Sequence, residues 1–240
     1  IVPALIAGNC VIFKPSEKTP AVGEFLLKCF HDAKVPQGVI QCLQGGADIG
    51  KALVEHWMIN GVLFTGSARA GIAINRKLAS DPGKILALEM GGNNPIVMLD
   101  TPKIEDAAVT IIQSAFTTAG QRCTAARRLV VVDSMYDQIV PAVKKLAERL
   151  IVGEPFADPQ PFMGTVIDNQ TADLLSESFV ALMSRGGKPI MHMKRPDENL
   201  PFLSPSIIDA TDMDDRPDIE LFGPLLQVIR VADFNEAIME

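Results

Sequence analysis

Asn60-Gly61-Val62-Leu63-Phe64-Thr65-Gly66-Ser67-Ala68-Arg69-Ala70-Gly71 is the stretch from which the architecture follows. Asn60-Gly61 is a turn signal, and Val62-Leu63-Phe64 is an apolar strand. The glycine-bearing segment after it opens a helix that should reach about Ala79. The same alternation continues upstream. Val11-Ile12-Phe13 reads as a strand, and Thr19-Pro20 as an N-cap with proline at the first helical position. That helix should bury Phe25, Leu26, Cys29, Phe30 and Ala33 on one face. Val39 to Leu43 is a second strand, and Asp48 can cap a helix through Leu53. Downstream, Lys84 to Leu88 forms a strand that ends at Glu89. Fully apolar strands separated by helices predict a parallel sheet covered on both faces. Ligands of such sheets gather at the carboxyl ends of strands, where Lys14, Gly66 and Glu89 fall.

A second unit begins near Gly91-Gly92, so the expected domains are residues 1–90 and 91–240. Ile96 to Leu99 is a strand, and Thr101-Pro102 precedes a helix burying Ile104, Ala108, Ile111, Ile112 and Ala115. Cys123 follows in a loop before the strand Leu129 to Val132. Ser134 with Asp137 suggests a capping box for a helix through Leu150. Residues 153–218 read as mixed loops and short elements, and Leu225 to Val231 as a final strand. The chain starts without methionine and ends in a helix just begun by Asp233 and Glu236, as a piece of a longer protein would.

Composition narrows the function classes. At 48% hydrophobic and 21% charged residues, the chain has the balance of a water-soluble globular protein, and no apolar run has the length of a membrane span. A net charge of −7 without a basic block argues against nucleic acid as a general partner. Cys10, Cys29, Cys42 and Cys123 have neither disulfide-framework nor metal-ligand spacing, so a reduced, cytoplasmic setting is expected. Cys10, Cys29 and Cys42 read as buried small hydrophobes. The histidines form no paired motif, and no metal is expected.

Five segments bear chemistry, each with a plainer alternative. Gly66-Ser67-Ala68-Arg69-Ala70-Gly71 could receive a pyrophosphate at a helix start, or be a turn with packing work alone. Lys14 and Glu17 could hold ribose hydroxyls, the carboxylate favouring NAD over NADP, or form a surface ion pair. Glu220-Leu221-Phe222-Gly223-Pro224 could hold a second ribose and pack a nicotinamide ring, or be a loop with a buried Phe. Cys123, after Gly120-Gln121-Arg122, could be a nucleophile whose thiol the Arg122 charge activates, or a structural thiol. Glu89, before Met90-Gly91-Gly92-Asn93-Asn94-Pro95, could be a general base or a strand-end carboxylate.

In this order and spacing the five segments resemble the aldehyde dehydrogenase superfamily, matching its Phe-Lys-Pro-Ser-Glu, Phe-Thr-Gly-Ser, Glu-x-Gly-Gly-x-x-Pro, Gly-Gln-x-Cys and Glu-x-Phe-Gly-Pro patterns. The resemblance implies a three-layer α/β fold: a parallel-sheet NAD-binding part followed by an α/β catalytic part, both incomplete here. It implies Cys123 as nucleophile and Glu89 as general base. Lys14 and Glu17 would bind the adenosine ribose, Gly66 to Gly71 would lie at the pyrophosphate, and Glu220 would hold the nicotinamide ribose beside Phe222. Ala87 to Pro95, Gln113 to Thr124 and Ala126 to Leu129 are most similar to the succinylglutamate-semialdehyde branch of bacterial arginine catabolism.

The resemblance therefore implies NAD-dependent oxidation of a small anionic aldehyde through a cysteine thioester, in a homo-oligomer when full length. Glu89 favours hydrolysis over acyl transfer to coenzyme A. Arg122 is the candidate for a substrate carboxylate, as in the similar non-phosphorylating glyceraldehyde phosphate dehydrogenases. The competing readings are a cofactor-binding or assembly scaffold without turnover, and an enzyme for another semialdehyde.

Overall fold

The computed structural model describes residues 1–240, which divide into two compact units, Ile1–Met90 and Gly91–Glu240. In the first, the alternation of apolar runs and turn signals produces α1 (Val2–Ile6), β1 (Val11–Phe13), α2 (Pro20–Asp32), β2 (Ile40–Cys42), α3 (Ala47–Glu55), β3 (Gly61–Thr65), α4 (Ala68–Leu78) and β4 (Ile85–Glu89). β1 pairs in parallel with β2, and β3 with β4, Thr65 lying opposite Glu89. Each parallel pair is joined through a helix, as the geometry of parallel pairing requires.

The first unit departs from expectation in its burial. Its strands form two separate two-stranded sheets rather than one. So small a sheet offers little surface for helices to cover. β3 and β4 alternate between exposed and half-buried positions, with Leu63 69% and Ile85 71% exposed, so these strands are not covered on both faces. α2 buries only Gly23, where an added Cβ would meet the Pro15 ring at 2.6 Å. Its stripe of Phe25, Leu26, Cys29, Phe30 and Ala33 is exposed or half-buried, because the helix lies beside a sheet only two strands wide. The expected burial of three cysteines also fails: Cys10 and Cys29 are exposed and Cys42 is half-buried. α3 starts after Gly46, which places Asp48 in its first turn, favourable to the helix dipole, rather than at the cap.

The second unit contains β5 (Pro95–Met98), α5 (Ile104–Phe116), a 3₁₀ turn (Thr117–Gly120), β6 (Arg128–Val132) and α6 (Asp133–Ala147). Then come α7 (Asn169–Ser184), β7 (Lys188–Met191), β8 (Ser206–Asp209), β9 (Leu225–Val231) and α8 (Phe234–Met239). Its sheet has the order β5-β6-β9-β8-β7, parallel throughout except for antiparallel β7. β6 and β9 occupy central positions and are mostly apolar, and both are buried along nearly their whole length, Gln227 of β9 included. This is the pattern a parallel strand takes when helices cover both faces. α5 contributes Ala108, Ile111, Ile112, Ala115 and Phe116 to the core, and α6 contributes Met135, Ile139, Val140, Val143 and Ala147.

Residues 153–218 hold more order than their composition suggests. α7 is a 16-residue helix whose Ala172, Leu175, Phe179 and Leu182 are buried at helical spacing. Its N-cap Asp168 accepts hydrogen bonds from the Thr171 backbone N–H at 2.8 Å and the Thr171 hydroxyl at 2.7 Å. Leu174 and Val180, apolar but exposed on its outer face, blur that period in the sequence. The capping box expected at Ser134 does not form, since the N-cap of α6 is Val132, two residues earlier, and Asp133 instead pairs with Arg230 at 2.5 Å. Asp233 does cap α8, accepting from Glu236 N–H at 3.0 Å, while Glu236 accepts from Ala232 N–H at 2.6 Å. No helix is long and apolar enough to cross a membrane.

Candidate active site

In the first unit the candidate residues lie at strand ends. Lys14 directly follows β1, and its side chain passes Gly50 to donate hydrogen bonds to Pro15 O at 2.6 Å and Gly45 O at 2.7 Å. Its ammonium is 3.7 Å from the Glu17 carboxylate. A backbone hydrogen bond at Glu17, and then the Lys14 charge, hold the Glu17 carboxyl below the usual carboxylate range. The pair therefore offers an ionised acceptor next to a cation held by two carbonyls.

The segment Gly66 to Gly71 begins α4. Ser67 is the N-cap, its hydroxyl accepting from Ala70 N–H at 3.3 Å. Ala68 and Arg69 precede the first residue that can donate within the helix, so their N–H groups face outward with the positive end of the dipole. Gly66 N–H donates to Glu89 O at 3.0 Å, joining this turn to the end of β4. Both glycines also serve packing, Gly66 against the Phe64 ring and Gly71 against Met90. Glu89 itself is exposed. Lys14 and Glu17 follow β1 of the β1–β2 sheet, whereas Gly66 follows β3 and Glu89 ends β4 of the other sheet.

The second unit builds the cysteine loop. After α5 the backbone turns left-handed at three consecutive residues, Thr118 (φ 60°), Ala119 (φ 52°) and Gly120 (φ 67°). Side chains then hold the carbonyls that regular structure leaves unpaired. The Asn94 amide donates to Cys123 O at 2.6 Å and to Ala125 O at 3.1 Å. The Gln121 amide donates to Thr118 O and Thr165 O, and its oxygen accepts from Ile167 N–H at 2.8 Å. Arg127 donates to Gly120 O, and to Arg122 O at 3.0 Å. The Cys123 thiol is exposed, and its backbone N–H donates to no protein acceptor. The resulting centre pairs an accessible sulfur with a free N–H on the same residue.

Arg122 points its guanidinium back at α5, where Nη2 donates to Gln113 O at 2.9 Å and Ser114 O at 3.2 Å. Its Nε is buried without a partner. The Glu220 to Pro224 segment packs directly on the cysteine loop. An added Cβ on Gly120 would sit 2.2 Å from Gly223 O. Gly91 (φ 71°) lies equally close to the Glu220 carboxylate, 2.3 Å from an added Cβ to Oε2. Glu220 Oε1 is buried without a hydrogen-bond donor and lies 3.7 Å from Arg127 Nη2. Phe222 is exposed on one side and receives the Arg127 guanidinium on its ring at 5.1 Å. Within this unit, then, Arg122, Cys123, Glu220 and Phe222 surround Arg127.

The model of the aldehyde dehydrogenase family matches residues 1–240, the whole chain. This chain belongs to the aldehyde dehydrogenase family. It is 70% identical, over its full length, to an N-succinylglutamate 5-semialdehyde dehydrogenase of Novosphingobium aromaticivorans, covering 51% of that relative. The identity to a relative of the same description from Sphingopyxis alaskensis is 62%, covering 50% of it. The chain thus spans about half the length of the curated relatives it matches. Among solved structures, a gamma-glutamyl-gamma-aminobutyraldehyde dehydrogenase from Burkholderia cenocepacia superposes with a TM-score of 0.90 at 30% identity. That match covers 99% of this chain and 48% of the other. The α/β arrangement is therefore that of aldehyde dehydrogenases.

Two residues at the centre of this aldehyde dehydrogenase loop carried no role in the sequence reading. Asn94 was legible only as part of the segment after Glu89. Arg127 offered one signal: a charged residue at the mouth of an apolar run, Leu129 to Val132, must find acceptors when that strand is buried.

Proposed function

We propose that the protein is an NAD-dependent dehydrogenase that oxidises N-succinyl-L-glutamate 5-semialdehyde to N-succinyl-L-glutamate through a thioester on Cys123. The observation that carries the reaction type is the cysteine loop, with its exposed sulfur, its free N–H and its neighbouring carbonyls held by side chains. The substrate rests on the descriptions of relatives up to 70% identical across the entire chain. The residues suit the cofactor. Glu220 Oε1 needs a donor that a ribose hydroxyl would supply, and the outward N–H groups of Ala68 and Arg69 suit a pyrophosphate. The ionised Glu17 would repel a 2′-phosphate, which favours NAD.

In this mechanism Cys123 Sγ attacks the aldehyde carbon, and the oxyanion formed accepts a hydrogen bond from the Cys123 N–H. Bound NAD would supply the hydride acceptor that turns the adduct into a thioester. Glu89 takes a proton from water as the water oxygen attacks that thioester. Cys123 Sγ then leaves, and the product is a carboxylate. Arg122 is the candidate cation for the distal carboxylate of the substrate. The test is NADH formation from N-succinylglutamate 5-semialdehyde by the whole protein. Cys123→Ala should abolish it, and NADP should support a slower rate. Absence of NADH with every aldehyde tried would overturn the proposal in favour of a cofactor-binding scaffold.

A further inference from the structure

Arg127 is the one charged residue in the buried interior, 1% exposed, and no step above uses it. Its backbone is fixed on both sides: its N–H donates to Asn94 O at 2.9 Å, and its carbonyl accepts from Gln227 N–H on β9 at 2.9 Å. From that post the guanidinium reaches two segments at once. Towards the cysteine it holds the carbonyls of Gly120 and Arg122. Towards Glu220 it lies 3.7 Å from Oε1, with its face on the Phe222 ring.

A buried charge is poor value as a stabiliser, since an apolar side chain of similar volume often packs as well or better. Burial lowers the pKa of Arg127, while Glu220 and a thiolate at Cys123 act in the opposite sense. What the guanidinium provides that an apolar residue cannot is a fork of fixed donors. The need for those donors is local. Gly120 ends a left-handed run in which Thr118 and Ala119 hold a conformation that side chains disfavour, and Arg127 grips the carbonyl at its end.

We infer that Arg127 is the positioning residue of the nucleophile, fixing the Gly120–Cys123 turn against the Glu220–Phe222 segment so that the thiol is presented in one geometry. The inference rests on the reading of Cys123 as nucleophile. Without Arg127 the left-handed run relaxes, and the sulfur loses its orientation.

The experiment compares wild type, Arg127→Met and Arg127→Lys in the whole protein. Iodoacetamide alkylation of each cysteine is followed by mass spectrometry without aldehyde or cofactor, and thermal melting monitors folding. Exposed Cys10 and Cys29 serve as internal standards. Arg127→Met should slow alkylation of Cys123 several-fold and leave Cys10 and Cys29 unchanged. Arg127→Lys should fall between, because lysine keeps the charge but lacks the planar fork. In turnover, Arg127→Met should lower kcat by roughly a hundredfold with little change in the aldehyde KM. Alkylation of Cys123 at the wild-type rate in Arg127→Met would overturn the inference. If that variant does not fold, Arg127→Lys decides: a slower Cys123 supports the inference, and a rate equal to wild type overturns it. Because alkylation needs no turnover, an enzyme that fails to oxidise any aldehyde counts against the proposed reaction and leaves this measurement decisive.

Discussion

Gly120→Ala tests the fit between the cysteine loop and the Glu220 segment. Two separate penalties arise at this position. The backbone is left-handed, φ 67°, which costs an alanine about 1–2 kcal/mol. The new Cβ would also lie 2.2 Å from Gly223 O, 2.7 Å from Gly223 C and 3.0 Å from Ala115 O. All three are backbone atoms, so relief requires moving a loop, and overpacking of this kind adds about 1–3 kcal/mol. The expected loss is therefore about 2–5 kcal/mol. Two controls in the same unit separate the terms. Gly186 has φ 97° but only one atom within 4 Å, at 3.8 Å, so Gly186→Ala should cost the backbone penalty alone. Gly164 has neither problem, and Gly164→Ala should stay within about 1 kcal/mol of wild type. Amide hydrogen exchange in β6 and β9 reports the opening free energy of this core without assuming that both units unfold together. If Gly120→Ala proves no worse than Gly186→Ala, the two segments are not packed as described and the argument fails.

Four further outcomes follow from the same geometry. Asn94→Ala removes the donors to Cys123 O and Ala125 O and should cost about 1–2 kcal/mol in the same exchange measurement, with a lower kcat in the NADH assay. Asp168→Ala deletes the cap of α7 and should lower stability by about 1 kcal/mol, read from urea unfolding. Burial, then the hydrogen bond to Asp209, raise the pKa of Tyr136 well above its usual value. The folded state thus keeps a proton that the unfolded chain loses, so stability should fall as pH rises above about 10, and Tyr136→Phe should flatten that slope in alkaline melts. Arg122→Ala should raise KM for the anionic aldehyde more than for a neutral one; equal effects would leave Arg122 only its bonds to the α5 carbonyls.

Sequence and structure agree best where one segment determines its own conformation. β9 spans Leu225 to Val231, the bounds its apolar run predicts, and α8 takes the cap that Asp233 and Glu236 announce. A strand buried on both faces reads as a mostly apolar run, here interrupted only by Gln227 and Arg230, and that run is visible without its neighbours. Burial of a helix face is different, because it depends on what lies opposite. The stripe of α2 has helical spacing, yet Phe25 and Leu26 remain exposed beside a two-stranded sheet. α7 shows the reverse: apolar Leu174 and Val180, exposed on its outer face, hide the period of a stripe that the core does cover.

The site divides along the same line. Cys123, Glu89 and Glu220 stand out in the sequence as candidates because each lies in a short segment that matches a pattern of the family. Asn94 and Arg127 act on backbone carbonyls up to 31 residues away, and a carbonyl leaves no trace in residue identity. What the sequence can register is the cost: a guanidinium set beside an apolar strand cannot be buried unless acceptors are waiting for it. At Arg127 those acceptors are the carbonyls flanking Gln121, in the turn that presents Cys123. A buried charge with no role in the chemistry is thus a pointer to whichever nearby segment has carbonyls to be held. Here that segment is the one carrying the sulfur.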